Sequence, residues 1–349
     1  MAIPSLPSLM HIPSPCSRLQ LGFAGATGES TPHLSVDGMT PLGPNLSHWP
    51  GNRTPARWRA DLSTGICLRF ARAASAEQAT FLGDAELVVN DHFDSDGFGS
   101  LLAVLRPDVA FAREELLLAV AATGDYGTWH SWRAFAIDRI VGGIARPDSP
   151  ASGVFFGITD PDQLSLQRYA WLLENATAVL DHTGQWSAIY ATEMALVKGE
   201  IERGLAGDLE RRRYPQFDLA VLTSQGGRHR MTLNTLAGGY RVLHVQHDAD
   251  GTRYRYHDRT ESWFELVTFH PLARRDLRPL AAQLAVMEPA HDGAAWNADA
   301  PTAPIPELYF GVPSGQAYGQ VTRDLRPSQL SVEAVVAAFA AFFASPSSP

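Results

Sequence analysis

The chain has 349 residues, 45% of them hydrophobic, enough for a real core in one large domain or two modest ones. A formal net charge of −9 with no large basic block excludes the electrostatic footprint of a duplex-DNA binder. Cys16 and Cys67 form no CxxC pair or zinc spacing, which argues against a disulfide framework or a zinc finger.

Residues 1–34 are rich in Pro, Ser and Gly, lack periodicity, and read as a loose arm. Their first residues show no cationic region ahead of an apolar run, so no signal peptide is expected. Ser47-His48-Trp49-Pro50-Gly51-Asn52 and the prolines around it forbid helix or central strand, and the segment reads as an ordered loop anchored by Trp49 and Trp58. Over 63–70, Ile66, Leu68 and Phe70 alternate, which predicts a strand. A short helix over 74–82 follows, then a short apolar run at 86–90 suited to a buried strand.

Helices are expected over 97–105, 110–122 and 132–142, with Thr123-Gly124-Asp125-Tyr126-Gly127 breaking the second. A helical pair over 163–180 and 187–205 turns at Asp181-His182-Thr183-Gly184. Strands are then expected at 218–222, 230–233, 240–246, 253–257 and 263–269, with a turn at 248–251. Helices at 277–287 and 332–343 close the chain. The fold class is therefore α/β: a loose arm (1–34), an α/β lobe with a mainly parallel sheet (35–210), and a β-rich lobe with a C-terminal helix (211–349). No run of about eighteen apolar residues occurs, so no membrane span is expected, and a soluble cytoplasmic protein of bacterial type is.

The chemistry concentrates in Asn90-Asp91-His92-Phe93-Asp94-Ser95-Asp96-Gly97-Phe98-Gly99-Ser100. In an extended segment His92, Asp94 and Asp96 share a face, Gly97 permits a tight turn into the helix, and Ser100 lies in its first turn. Oxygen and imidazole groups beyond a strand's carboxyl end suit Mn²⁺ or Mg²⁺ better than zinc. A helix N-cap is the competing reading, but one cap needs one carboxylate, and packing Asp91, Asp94 and Asp96 together is repulsive without a cation or solvent. The second lobe adds His229, Arg230 and Arg241, suited to phosphate or carboxylate oxygens or, alternatively, to solvated strand edges. Lys198, the only lysine, follows no Gly-rich loop, which excludes a P-loop ATPase. No Gly-x-Ser-x-Gly elbow or complete GxGxxG is present.

The run from His92 to Ser100 resembles the first motif of the DHH phosphoesterase superfamily, His-x-Asp-x-Asp-Gly-x-x-Ser. The resemblance implies a metal-dependent phosphoester or phosphoanhydride hydrolase, with Asp94 and Asp96 as Mn²⁺ or Mg²⁺ ligands and His92 beside them. The lone aspartate that follows in that family falls, by position, at Asp125. The Asp-His-His of its name has only Asp181-His182-Thr183 as counterpart, read here as a helix–helix turn. His92 or His48 is the expected proton carrier, and Asn52, Ser100, His229, Arg230 and Arg241 the expected substrate contacts. A small phosphorylated substrate or short oligonucleotide is the expected partner. The alternative is a catalytically inactive ligand-binding protein on a similar scaffold; a metal-dependent enzyme of other chemistry, such as amide hydrolysis, is a third reading.

Overall fold

A computed structural model describes residues 15–27, 31–317 and 320–346. Four short strands, β1 (Gln20–Phe23), β2 (His33–Val36), β3 (Asn45–Leu46) and β4 (Leu87–Asn90), form a wholly parallel sheet in the order β1-β4-β2-β3. Leu34, Val36, Leu46 and Val88 are fully buried, as a parallel sheet covered on both faces requires. Residues 20–23 thus correct the expected loose arm: they are the edge strand paired with β4, from Gln20 beside Leu87 to Phe23 beside Asn90. Residues 1–14 and 28–30 of that expected arm lie outside the described residues.

Helices surround this sheet: α1 (Ala24–Thr27), α2 (Ser63–Ala71), α3 (Ser75–Leu82), α4 (Ser95–Leu105), α5 (Pro107–Phe111), α6 (Glu114–Asp125), α7 (Trp132–Gly143), α8 (Pro161–Glu174), α9 (Ala176–Asp181) and α10 (Ser187–Arg203). The strand expected at 63–70 is the helix α2. All its residues from Ser63 to Leu68 are buried, together with Phe70. A helix with Arg69 as its one exposed position shows no clear 3.6-residue stripe, so its alternating apolar positions imitate a strand. The break expected from 123 comes later, because α6 runs to Asp125 and the chain turns at Gly127, where φ is +56°.

The second sheet runs β11-β10-β8-β7-β6-β5, with a short strand on β10. It comprises β5 (Leu209–Tyr214), β6 (Leu219–Gln225), β7 (Arg241–Asp248), β8 (Gly251–Asp258), β9 (Ala295–Ala298), β10 (Glu307–Ala317) and β11 (Gln320–Leu325). Among the described residues of this sheet only β6 and β7 pair parallel, joined through α11 (Arg230–Ala237). A strand was expected at 230–233; the buried run from Met231 to Asn234 is again helical. The strand expected at 263–269 is also absent: those residues form an irregular strap whose amides bond to the first lobe. Helices α12 (Arg278–Met287) and α13 (Val332–Ala344) close one apolar face, where Leu280, Leu284, Val335 and Phe339 meet Tyr256 and Phe310. The α/β lobe followed by a mixed sheet with a closing helix is the fold class expected. No described helix is long and apolar enough to cross a membrane.

Apolar contacts join the lobes. Leu266 packs with Leu62 and Tyr126, and Met231 with Phe135, Val197 and Ile201. Phe98, fully buried in α4, anchors the first core, whereas Phe156 is 93% exposed. Phe98→Ala is expected to cost about 3–5 kcal/mol in denaturant unfolding, and Phe156→Ala to stay within about 0.5 kcal/mol.

Candidate metal centre

Three parallel strands deliver the centre from their carboxyl ends: β2 leads to Asp37, β3 to His48, and β4 to the acidic loop. Ligand sites of open α/β sheets lie at such ends. Asn90, the last residue of β4, holds two of these loops together. Its side-chain oxygen accepts from the N–H groups of Gly38 (3.2 Å), Asp91 (2.7 Å) and His92 (3.4 Å). Its amide donates to the Tyr169 hydroxyl at 3.2 Å. That hydroxyl also takes the Asp94 N–H and donates to the His92 carbonyl. A Cβ on Gly97 would run into the Asn90 amide and the Tyr169 hydroxyl, so glycine here serves close approach as much as turning.

Asp94 is the N-cap of α4, accepting from Gly97 N–H at 2.8 Å, so the capping reading holds for this carboxylate. Asp94 does more than cap, since its other oxygen lies 3.0 Å from His92 Nε2. Asp96 is fully buried and receives the first N–H groups of α2, from Ser63 at 2.8 Å and Thr64 at 2.7 Å. The positive end of a buried helix thus stabilises it. Asp125, the last residue of α6, completes the acidic group.

Two residues tie the group together. His48 Nδ1 lies 2.7 Å from the Asp61 carbonyl, which only accepts, so Nδ1 carries the hydrogen and Nε2 is a bare lone pair. That Nε2 stands 3.3 Å from Asp125, 3.7 Å from Asp96 and 3.9 Å from Asp37. Neither His48 Nε2 nor Asp125 Oδ2 has a hydrogen-bond partner, although both are buried. Asp37, which the sequence reading missed, sits at the middle: Oδ1 faces His48, and Oδ2 lies 3.1 Å from His92 Nε2. Its φ of +65° is the left-handed region, uncommon outside glycine and held here by its surroundings.

Two sets of potential ligand atoms result, Asp37–His48–Asp96 and Asp37–His92–Asp94, sharing Asp37. Burial and the neighbouring Asp94 and Asp96 charges push the Asp37 carboxyl up from 3.8 to about 8. Asp125 is raised for the same reasons. Burial works against a charge on His92, but Asp94 and Asp37 overcome it and hold that imidazole well above its ordinary range. Burial also opposes ionisation of Asp94, yet His92 and the Gly97 N–H bring it down to about 2. An unpartnered imidazole lone pair, an unpartnered carboxylate oxygen and a mixed oxygen and nitrogen donor set together fit a divalent cation.

A cavity of about 570 Å³ opens onto this group. Its walls include Trp49, Phe93 and Trp263, and three cations, Arg139, Arg146 and Arg230. Of the expected substrate contacts only Arg230 lines it. Asn52 instead ties Glu265 and the Trp49 carbonyl. Ser100 is buried in α4, and His229 caps α11 and faces Glu193 at 3.1 Å. Arg241 staples the Phe217 and Ala273 carbonyls. Asp181 forms ion pairs with Arg113 and Arg133 at the end of α9, as a helix turn and not a ligand. Arg139 and Arg146 carried no local motif that would have singled them out.

The strap from the second lobe fixes the centre from outside. Phe264 stacks on His48 with ring centroids 3.9 Å apart, and Glu265 N–H donates to the His48 carbonyl at 2.7 Å. Asp61, whose carbonyl orients His48, takes the Val267 and Thr268 N–H groups on its carboxylate.

The model of a family of unknown function, DUF6687, matches residues 21–348. The chain belongs to DUF6687. The match spans both lobes and every residue of the acidic group. No curated protein and no solved structure matches it.

In this DUF6687 chain freed of cations with a chelator, pH should act on stability through Asp37. Its folded value lies above the unfolded one, so the stabilisation is complete below pH 4 and is lost as pH rises toward about 8. The melting temperature is expected to fall from pH 5 to 9, and Asp37→Asn, a mimic of the neutral form, to flatten the slope and raise stability at pH 8. A wild-type slope unchanged by Asp37→Asn would contradict this.

Proposed function

We propose that the protein is a divalent-metal-dependent phosphohydrolase whose centre would take two cations, one held by Asp37, His48 and Asp96 and the other by Asp37, His92 and Asp94. The observation that carries this reading is the pair of ligand triads sharing Asp37, with the buried His48 Nε2 and Asp125 Oδ2 lacking partners between them. Charge supports the number: four carboxylates, Asp37, Asp94, Asp96 and Asp125, balance two divalent ions. An imidazole in each triad favours Mn²⁺ over Mg²⁺. His48 and His92 then serve as ligands rather than as proton carriers. The phosphoryl chemistry rests on the resemblance of the run from His92 to Ser100 and on the arginines of the facing wall.

When bound, the cations supply Lewis-acid charge for a phosphoryl oxygen and lower the pKa of a water. The chain's own residues orient the ligands. The Asp61 carbonyl fixes the His48 tautomer, Ser63 and Thr64 hold Asp96, and Asn90 with Tyr169 sets the backbone of the acidic loop. Trp49 and Trp263, with ring centroids 4.8 Å apart, form an aromatic wall beside His92. A second reading, a ligand-binding protein without turnover, is favoured by one observation: Asp181-His182 is engaged elsewhere, so the DHH-like pattern lacks its partner motif.

Calorimetric titration of Mn²⁺ is expected to give two ions per chain, and Asp37→Asn to remove both. Mn²⁺ at a hundred-fold excess over Kd is expected to stabilise the fold by about 2.7 kcal/mol per site. Hydrolysis of a generic phosphodiester or of pyrophosphate should require Mn²⁺ and Asp37. Equal Mn²⁺ uptake by wild type and by Asp37→Asn and Asp94→Asn/Asp96→Asn variants would end the metal reading. Binding without turnover across the phosphate panel would select the second reading instead, and turnover of amides alone would replace the phosphoryl chemistry. Phe264→Ala, which removes no ligand, is expected to weaken Mn²⁺ binding about 10- to 100-fold, with Phe264→Tyr restoring most of it.

A further inference from the structure

The cavity wall contributed largely by α7 and α11 carries a positive charge with no counter-charge. Of its three arginines, Arg139 is held by Asp138 and by Glu193 at 2.8 Å, and Arg146 by Asp148 at 2.6 Å. Arg230 makes no ion pair and no hydrogen bond among the described residues, although its side chain lines the cavity. The acids that serve its neighbours on this wall are engaged. Glu193 serves Arg139 and His229. Glu200 takes the His229 N–H at 2.8 Å and the Thr232 hydroxyl at 2.7 Å. Glu307 holds Arg255 and Arg323, and Asp138 accepts from Ser95 at 2.6 Å.

Further cations crowd the same wall. Arg230 is exposed on the cavity surface, yet the protein packed around it depresses its guanidinium through desolvation, and Arg255 and Arg139 push the same way against Glu307 and Asp138. Buried His257 is held well below its usual range by burial and by Arg255, Arg230 and Arg259. The cavity thus has an acidic end and a cationic wall. A guanidinium left in this state seeks an oxyanion, which its planar fork can bind through two parallel hydrogen bonds. The paired Arg139 and Arg146 add donors whose charge is already offset, and a phosphoryl group offers these forks more acceptor oxygens than a carboxylate does.

We propose that Arg230 forms a phosphate subsite of the cavity, separate from the acidic centre, so that the ligand carries a second phosphoryl group beyond the one that meets the cations. The subsite itself stands on Arg230 and its neighbours; the second-phosphoryl statement rests on the phosphohydrolase reading. A substrate with a single phosphoryl group would leave Arg230 uncompensated, whereas a phosphoanhydride or doubly phosphorylated compound fills both ends.

The test titrates inorganic phosphate into the full chain, stripped with chelator and again with Mn²⁺ present. In the stripped protein Arg230→Gln is expected to weaken phosphate binding about ten-fold or more, and Arg230→Lys to fall between the two. Acetate should bind more weakly than phosphate. Should Arg230→Gln fail to fold, labelling of wild type with phenylglyoxal decides. Phosphate is then expected to protect Arg230 and to leave Arg213, exposed on β5, reactive. Unchanged phosphate affinity in a folded Arg230→Gln variant, acetate binding as tight as phosphate, or no protection of Arg230 would overturn the subsite. Because these readings need no cation, their failure leaves Mn²⁺ uptake untouched, and failure of Mn²⁺ uptake leaves them standing.

Discussion

The carboxylate of Asp96 on the first two amides of α2 is the interaction on which the centre depends. It places a carboxyl group where solvent does not reach, and the amides of the helix N-terminus satisfy both of its oxygens. The same contact sets the approach of α2 to α4, and with it the neighbouring loops. The Ser63 hydroxyl beside Asp96 accepts the His48 N–H at 3.3 Å, and the Thr64 hydroxyl donates to the Asp96 carbonyl at 3.1 Å. Gly99 sits against Thr64 so closely that a Cβ there would meet its side chain. Once Asp96 is fixed, His48, Asp37 and Asp125 have little freedom left, and their mutual repulsion becomes a property of the folded state.

That repulsion explains why the second lobe holds the first so firmly. Asp37 is held at a positive φ, and four carboxylates share one small volume. Such a group opens unless something outside it resists. The strap between β8 and α12 does so with polar and apolar contacts together. The Thr260 hydroxyl donates to the Asp125 carbonyl, Glu265 takes the Gly51 and Asn52 N–H groups, and Phe264 covers His48. None of these groups is a candidate ligand. The second lobe's role at the centre is mechanical on one side, through the strap, and electrostatic on the other, through Arg230.

Legibility in the sequence followed locality. The acidic loop could be read because strand, carboxylates and glycine turn lie within eleven consecutive residues. Asp94, Asp96 and His92 come from that run, His48 from its own loop, and Asp125 by position from the resemblance to the DHH family. Asp37 was missed because an Asp-Gly after a short strand looks like an ordinary turn; only the pairing of β2 with β4 brings it to the acidic loop. Helix α2 was taken for a strand because its N-terminus has no local cap. Leu62 stands at the N-cap without a side-chain hydrogen bond, and Asp96, far along the chain, supplies the acceptors. Helix α11 hid in the same way, capped by the imidazole of His229 rather than by a familiar Ser, Thr, Asp or Asn. The segment at 263–269 alternates like a strand because Phe264 and Leu266 turn inward, yet its amides go to His48 and Asp61 and never to a ladder.

The same distinction separates the expected substrate contacts. Arg241 and Arg230 look alike in sequence, both in a polar stretch of the second lobe. Arg241 lies under the sheet, donates to two carbonyls, approaches Asp258 at 3.7 Å and stacks on Phe343, so its charge is consumed by the fold. Arg230, exposed on the cavity wall, pairs with no acid among the described residues, so its charge is left for the cavity. Net composition cannot separate the two cases, because both residues count equally toward the −9 of the chain. The difference arises only when each carboxylate is assigned to its own cation. By that assignment the acidic centre holds excess negative charge out of reach of solvent, and the opposite wall holds one positive charge, that of Arg230, exposed on the cavity. A ligand that is cationic at one end of the cavity and anionic at the other is what two metal ions and a phosphorylated compound together provide.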